Sequence, residues 1–461
     1  MAFSLFGCRN VRYNFLYLSC FLIKRRRSLG CVESHPASSE LPQGSGIIQQ
    51  LQSFTNAAAV KEVRYQLATG ARKIGSAKMA DQKNSQGEEQ SLQAKLAEAM
   101  SKPLTQHEEV FYRPRPQSYF SHDGSEWQEC KSPSRRWWNA SGATSSSPYV
   151  SASSAISKAT KIRLISWNID ILVPFGHERM SAALAYLETL ISSSPPEVPI
   201  VIFLQEMSPS DMQLIRDAGW VKQAFMLADL DQKNWLGGMY GTQVLVDRRL
   251  TVERVFRVPW VSRFDRDGLF VDLCLRSDGR EEKDTHDARR ENAVILRLCN
   301  THLESLVANP PIRPLQLSAA AKYLHEENVA AALLAGDLNA IEPFDRSLHS
   351  DNGLEDAYLT LGSKEDNEEG YTWGIQVPQW LKDKFGPSRM DKILYRGELK
   401  PQCFKRIGID LKVDDSVKEE VWKKGAEEWV TDHYGVMGDF ELTGNMSLAF
   451  GGGGPQERVS L

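Results

Sequence analysis

The feature that most constrains this chain is a series of short apolar runs, each closed by polar residues. The runs are Ile162 to Trp167, Ile200 to Leu204, Thr242 to Asp247, Leu269 to Leu275, Ala293 to Cys299 and Ala331 to Leu334. Several are continuous, as in strands covered on both faces. Helical spacing recurs between them. Met180 to Ile191 puts Leu184, Leu187 and Ile191 on one face, and Leu315 to Asn328 opens just after Pro314. Strands and helices do not alternate regularly. Two sheets packed face to face with helices outside fit this order better than a βαβαβ series.

These runs confine the folded unit to about 161–445 of the 461 residues. At about 150 residues per domain, the length alone allows roughly three domains or one with extensions. Residues 1–30 hold six basic side chains and no acid, around the nine-residue apolar run Phe15 to Ile23. A membrane-spanning helix needs about 20 apolar residues, so no stable membrane insertion is expected. A transit peptide, a nuclear-import patch, a signal peptide and a true start at Met79 all stay open. Residues 31–160 read as largely disordered, with a short helix at Lys95 to Met100 and ten serines in 131–160. Within them, 111–138 interleaves aromatics with Arg113, Arg115, Arg135 and Arg136. Such a segment can stack on bases, but a tail folded back on its own domain is favoured. Ser277 to Asn292 is expected to be a charged hairpin loop, and 446–461 a flexible tail.

Charge narrows the partner. The net charge is −4, but residues 1–160 carry +8 and 161–445 carry −12. An acidic domain does not coat DNA broadly, so any DNA contact should be local and directed at a chain end. Deleting 1–160 should then weaken DNA affinity more at low salt than at high salt. The seven cysteines are odd in number and lack CxxC spacing. That disfavours a disulfide scaffold or structural zinc and fits an intracellular location. The nucleus is expected, with the mitochondrion left open by the basic, acid-free N-terminus.

The polar residues gather where strands stop. Asn168 and Asp170 close the first run, and alternation would aim them the same way. Glu206 closes the second. Thr301-His302-Leu303-Glu304-Ser305 follows another, and Gly336-Asp337-Leu338-Asn339 the last. Asp391 opens a later strand pattern, and Thr431-Asp432-His433 comes after it. Strand ends meeting at one sheet edge commonly form a ligand site. Oxygen donors without a Cys or His cage suit Mg²⁺. No phosphate-binding Gly loop or GxSxG elbow is present, which disfavours an NTPase or an α/β-hydrolase. A metal, histidines and an Asp/Asn pair fit phosphodiester hydrolysis.

The order of these motifs resembles the endonuclease/exonuclease/phosphatase superfamily. The strings WNID (167–170), LQE (204–206), THLES (301–305), YTW (371–373), RMDKILY (389–395) and TDH (431–433) look like its tyrosyl-DNA phosphodiesterase type 2 group. The resemblance implies a deoxyribonuclease-I-like α/β (α+β) fold: a four-layer sandwich of two mixed β-sheets flanked by helices. It implies Mg²⁺, or Mn²⁺, held by Glu206 with Asn168 beside it and Asp170 through water. Asp337 and Asn339 match the pair that positions and activates water. His302 and His433 match groups contacting the phosphate, Asp391 orients His433, and Asp432 lies near the metal. Trp373, Tyr371, Ser305 and Tyr240 are expected to contact substrate. The implied function is removal of a tyrosine from a DNA 5′ end in repair, by a monomer acting on a DNA end or protein–DNA adduct. Ile341 stands where the group usually has arginine, two residues after the Asn of GD-x-N, and Arg346 is the nearest basic substitute. That leaves open the same centre acting on an abasic DNA end, RNA or a phospholipid head group. A silent binding module is the remaining alternative.

Overall fold

The computed structural model describes residues 111–130, 159–277, 294–306 and 308–451, all within one compact unit. The basic start, Met79, Lys95 to Met100, the Ser-rich stretch 131–158, most of Ser277 to Asn292 and the tail beyond 451 lie outside the described residues.

Two mixed sheets of eight strands make the fold. The first runs β1 (Arg115–Gln117), β8 (Val252–Pro259), β9 (Asp267–Ser277), β10 (Ile295–Thr301), β11 (Val329–Asp337), β13 (Asp391–Gly397) and β12 (Glu355–Asp356), with β16 (Met446–Leu448) on the end of β9. The second runs β14 (Leu399–Ile407), β15 (Gly435–Leu442), β4 (Lys161–Asn168), β5 (Ile200–Met207), β7 (Gly241–Asp247), β6 (Phe225–Leu227), β2 (Tyr119–His122) and β3 (Trp127–Cys130). The pairs β4–β5 and β10–β11 are parallel, and the other pairings are antiparallel.

Alternation along each strand builds the layers. In β4, Ile162 and Leu164 join the core between the sheets, while Ile165 and Trp167 face outward. In β11, Leu333 and Ala335 point inward, while Ala332 and Leu334 point outward. The helix α1 (Gly176–Ser192) covers the outside of the second sheet through Met180, Leu184, Leu187 and Ile191. Its neighbours α2 (Pro209–Asp217) and α3 (Gly219–Ala224) add Met212, Ile215, Trp220 and Val221. The helix α4 (Arg313–Leu324) covers the first sheet through Leu317, Ala320 and Leu324. This is the four-layer sandwich expected. The second predicted helix ends at Leu324 rather than Asn328, because His325 closes its last turn and 329 already starts β11. No helix of the described residues is long and apolar enough to cross a membrane.

Two segments outside 161–445 belong to the sheets. Residues 115–130 supply β1 to one sheet and β2–β3 to the other, and 446–448 supply β16. Their short, half-exposed edge strands lack the apolar run that marks a central strand, so composition reads them as tail.

Gly336 shows how tightly β10 and β11 approach near the site. Its φ is +152°, and a Cβ there would collide with the Thr301 carbonyl oxygen. Gly336→Ala should therefore destabilise the fold by at least about 3 kcal/mol, read as a lower thermal midpoint.

Candidate active site

The strand ends named above do meet at one edge. β10 and β11 run parallel, so Thr301 and Asp337 end side by side. β13 is antiparallel to β11, which pairs Asp391 directly with Asp337. On the second sheet β4 and β5 run parallel, which brings Asn168 beside Gln205.

Alternation does not carry past the strand ends. Asp170, Glu206 and Asn339 all have left-handed backbones, with φ of 57°, 57° and 48°. Asx turns bend the chain instead: Asn168 Oδ1 accepts from the Asp170 N–H and Asp337 Oδ1 from the Asn339 N–H, both at 2.9 Å. Glu206 sits in a β-bulge between Leu204 and Met207. Strain of this kind in three non-glycine residues needs surroundings that over-determine it.

Asp337 is the centre of the cluster. It is 2% exposed and receives a bond from Asn168 Nδ2 at 3.1 Å. Its Oδ2 lies 3.2 Å from His302 Nε2 and 3.8 Å from His433 Nε2. Burial opposes its charge, but the two histidines outweigh that and hold the carboxyl well below its ordinary value.

The histidines differ. Burial and then Arg266 push His302 below its ordinary value. Arg266 Nη1 donates to His302 Nδ1 at 2.8 Å. Guanidinium has only donors, so Nδ1 accepts and the ring proton sits on Nε2, facing Asp337. His433 is the opposite case. Burial opposes its charge, but Asp391, Asp432 and Asp337 together raise it well above the ordinary value. Its Nδ1 donates to Asp391 Oδ2 at 2.8 Å. Asp391 is itself pushed up to about 6, burial outweighing the pull of His433. One edge therefore sets a histidine whose surroundings favour the neutral ring and a histidine whose acids favour the charged ring on either side of one carboxylate.

The acids on the other side form an oxygen-only set. Glu206 Oε2 accepts from the Ile171 N–H at 3.3 Å. Burial raises Asp170 first, with the charges of Asp432 and Glu206 adding to it. Asp170 Oδ2 is buried without a hydrogen-bond partner. Crowded acids and an orphaned carboxylate oxygen fit a divalent cation held by Glu206, Asp170 and Asp432 with the Asn168 amide beside them. Asp337, Asp391 and His433 also bring ligand atoms within 4.8 Å of one another. Within that trio only His433 and Asp391 are hydrogen-bonded, and Asp337 stands 3.8 Å from His433 Nε2.

The remaining expected residues divide. Ser305 Oγ accepts from Arg266 Nη2 at 2.8 Å and lies 3.4 Å from Asn339 Nδ2. Tyr240 lies under Arg266, its hydroxyl donating to the Phe264 carbonyl at 2.6 Å. With Trp235, Arg266, Glu206 and His302 it lines a narrow, partly open cleft. Trp373 is 3% exposed, and its indole N–H donates to Asp432 at 2.7 Å, so it braces the acid and leaves little ring for a substrate. Tyr371 is not tied to the cluster: its hydroxyl donates to the Asp366 carbonyl at 3.2 Å. Thr372 is the member of that string that reaches the site, its Oγ1 accepting from the Asp391 N–H at 3.0 Å. Ile341 packs on the apolar cluster of Trp373, Val377 and Met390. Arg346 does not replace the missing arginine, because Asp366 holds it at the exposed surface.

Arg266 is the residue that sequence reasoning missed. It precedes β9, and antiparallel pairing sets Gly268 opposite Thr301, which puts Arg266 beside His302. No local pattern marks it, since only the register between two distant strands brings it in.

A sequence model of the Endonuclease/Exonuclease/phosphatase family matches residues 165–433, from β4 through His433. The chain belongs to that family. Its members are hydrolytic nucleases and phosphatases, and the matched span contains every residue of the cluster just described. Solved structures similar to it include a humanized D. rerio TDP2 carrying 14 mutations. That chain is 20% identical, with 61% of this chain and 100% of that one covered and a TM-score of 0.44. A truncated Caenorhabditis elegans TDP2 is 22% identical, with 61% and 97% covered and a TM-score of 0.45. D. rerio TDP2 complexed with single strand DNA product is 19% identical, with 61% and 99% covered and a TM-score of 0.44. No curated protein matches the chain.

Proposed function

We propose that this chain is a Mg²⁺-dependent phosphodiesterase acting at DNA ends, with a 5′-phosphotyrosyl adduct as its substrate and DNA repair as its setting. The observation that carries the reading is geometric: Asp337 Oδ2 stands 3.2 Å from His302 Nε2 and 3.8 Å from His433 Nε2, beside a cluster of carboxylates and one amide suited to a cation.

The chain's own groups divide the work. Asp337 and the Asn339 carbonyl accept hydrogen bonds from the attacking water and align it. A carboxylate held so low is a weak base, so its part is orientation more than proton removal. His302 offers its Nε2 proton to a phosphate oxygen, and His433 meets the growing negative charge as a cation. Asp391 fixes the ring of His433, and Trp373 fixes Asp432. Arg266 and Ser305 complete a donor-rich rim. Glu206, Asp170, Asp432 and Asn168 would hold the cation. Bound there, Mg²⁺ would neutralise phosphate charge as a Lewis acid. A tyrosine phenol has a pKa of about 10, so its phenolate can leave with little help from an acid.

A second reading keeps the centre and changes the phosphodiester, and Ile341 favours it. The wall beside Asn339 is apolar where the resemblance implies a guanidinium, so an abasic end, RNA or a lipid head group stays in competition. A substrate panel with and without Mg²⁺ separates the two. Hydrolysis of the 5′-tyrosyl oligonucleotide should stop in EDTA and return with Mg²⁺. Calorimetry should show a Mg²⁺ site that Glu206→Gln removes. Full activity in EDTA would refute the mechanism, and a preference for another substrate would select the second reading.

A further inference from the structure

Two loops of the first sheet carry the water-aligning side of the site: 302–306 after β10 and 338–342 after β11. Each contains a strained non-glycine residue, Leu306 with φ 67° and Asn339 with φ 48°. The first loop leads to Arg313, the first residue of α4, and the second leads to Asp345, its partner. Arg313 is 2% exposed. Its Nη1 donates to the carbonyls of Glu304 at 3.2 Å and Leu306 at 2.7 Å. Its Nε and Nη2 form a fork on Asp345 at 2.9 and 2.7 Å. Asp345 Oδ2 in turn accepts from the N–H groups of Ile341 at 3.0 Å and Glu342 at 2.7 Å.

One buried ion pair therefore holds both loops. The loops also touch directly, where Asn339 Nδ2 donates to the Leu303 carbonyl at 3.1 Å. The Glu304 side chain anchors the first loop from the far side, accepting from Ser262 Oγ at 2.5 Å and the Arg263 N–H at 3.1 Å.

We infer that Arg313 and Asp345 are positioning residues that fix His302 and Ser305 relative to Asp337 and Asn339. This rests on the phosphodiesterase reading above. A buried ion pair is weak evidence of a purely stabilising role, because desolvation opposes the attraction. Here all three guanidinium nitrogens donate, to loop carbonyls or to the acid that caps the other loop. Lysine cannot reproduce that planar arrangement. The cation set depends on the other sheet, through Asn168 at the end of β4, Glu206 in β5 and Asp432 before β15. A loosened clamp should leave that set intact.

The test uses Arg313→Lys and Asp345→Asn in the full chain, with activity expressed per folded molecule. For each variant kcat should fall on the order of 10²-fold, with KM little changed. Mg²⁺ affinity measured with the metal alone should match wild type. The His302 ring resonances should shift in NMR spectra of both variants, whether or not the substrate assignment is right. Wild-type kcat and unshifted His302 resonances, with only a lower melting temperature, would overturn the inference. Should Asp345→Asn fail to fold, Arg313→Lys, which keeps the charge, carries the same readouts. Wild-type protein that neither binds Mg²⁺ nor hydrolyses any phosphodiester would refute the functional reading instead, leaving the His302 shift to judge the clamp.

Discussion

Asp337→Asn should fold and lose hydrolysis by at least about 10³-fold, at the upper end of what removing one electrostatic group from an active site costs. The variant keeps the shape of the side chain and removes its charge. The water then loses its anionic acceptor, and His433 loses one of the three carboxylates that keep it charged. A protonated His433 and an ionised Asp337 support each other, so the loss exceeds that of one hydrogen bond. Asp337→Ala should be as inactive and less stable. It orphans Asn168 Nδ2, a buried donor whose loss of a partner costs about 1–3 kcal/mol. Hydrolysis of a 5′-tyrosyl oligonucleotide and a thermal melt by circular dichroism measure the two effects. More than a tenth of wild-type activity in Asp337→Asn would remove Asp337 from the centre of the mechanism.

That centre was legible in the sequence for a physical reason. Apolar runs that stop at a carboxylate or amide mark strand ends, and strand ends in a two-sheet stack share an edge. Asn168, Glu206, His302 and Asp337 were visible in that way, Asp391 as an acid opening a strand pattern, and His433 through the Thr431-Asp432-His433 string. The means of bringing them together was not. Alternation would aim Asp170 like Asn168, whereas an Asx turn and a left-handed backbone place it. Arg266 depends on the β9–β10 register, and Thr372 on its tie to the start of β13. Trp373 was visible as an aromatic, but only its bond to Asp432 shows that it braces an acid. Six interior strands, β4, β5, β7, β9, β10 and β11, announced themselves by apolar runs, and β15, broken by Gly438 and Asp439, did not. Nor did β8, because Arg254 and Arg257 interrupt it, and Arg257 is buried against Asp229 and Asp267. A buried charge network reads as surface when the sequence is all there is.

The same blindness to edge strands decides where the domain begins. A chain starting at 159 should melt at least about 10 °C below one starting at 111, or aggregate. The segment 111–130 is bound to both sheets. β1 pairs with β8 through Arg115, Pro116 and Gln117, and β2 pairs with β6 through Phe120 and Ser121. Gln117 Nε2 donates to the Ala228 carbonyl at 2.8 Å and to Asp229 Oδ1 at 3.1 Å. Asp229 is the partner of buried Arg257, so the strap reaches a network whose other acid, Asp267, lines the cleft. Trp127 Nε1 donates to the Arg216 carbonyl at 3.2 Å, and Tyr323 gives its hydroxyl to the Tyr112 carbonyl at 2.5 Å. At about 1 kcal/mol net for each hydrogen bond, these contacts are a large part of a typical domain stability of about 5–15 kcal/mol. Their removal also bares two sheet edges at once. Equal melting temperatures for the two chains would show the strap to be dispensable. Truncation at 160 is then the wrong test of a basic arm, since it confounds lost charge with lost structure. A cut after 110 removes a net charge of +5 and leaves both sheets paired. If that arm steers DNA, affinity should fall more at low salt than at high salt with the 111–461 chain, and an equal loss at both would assign the effect elsewhere.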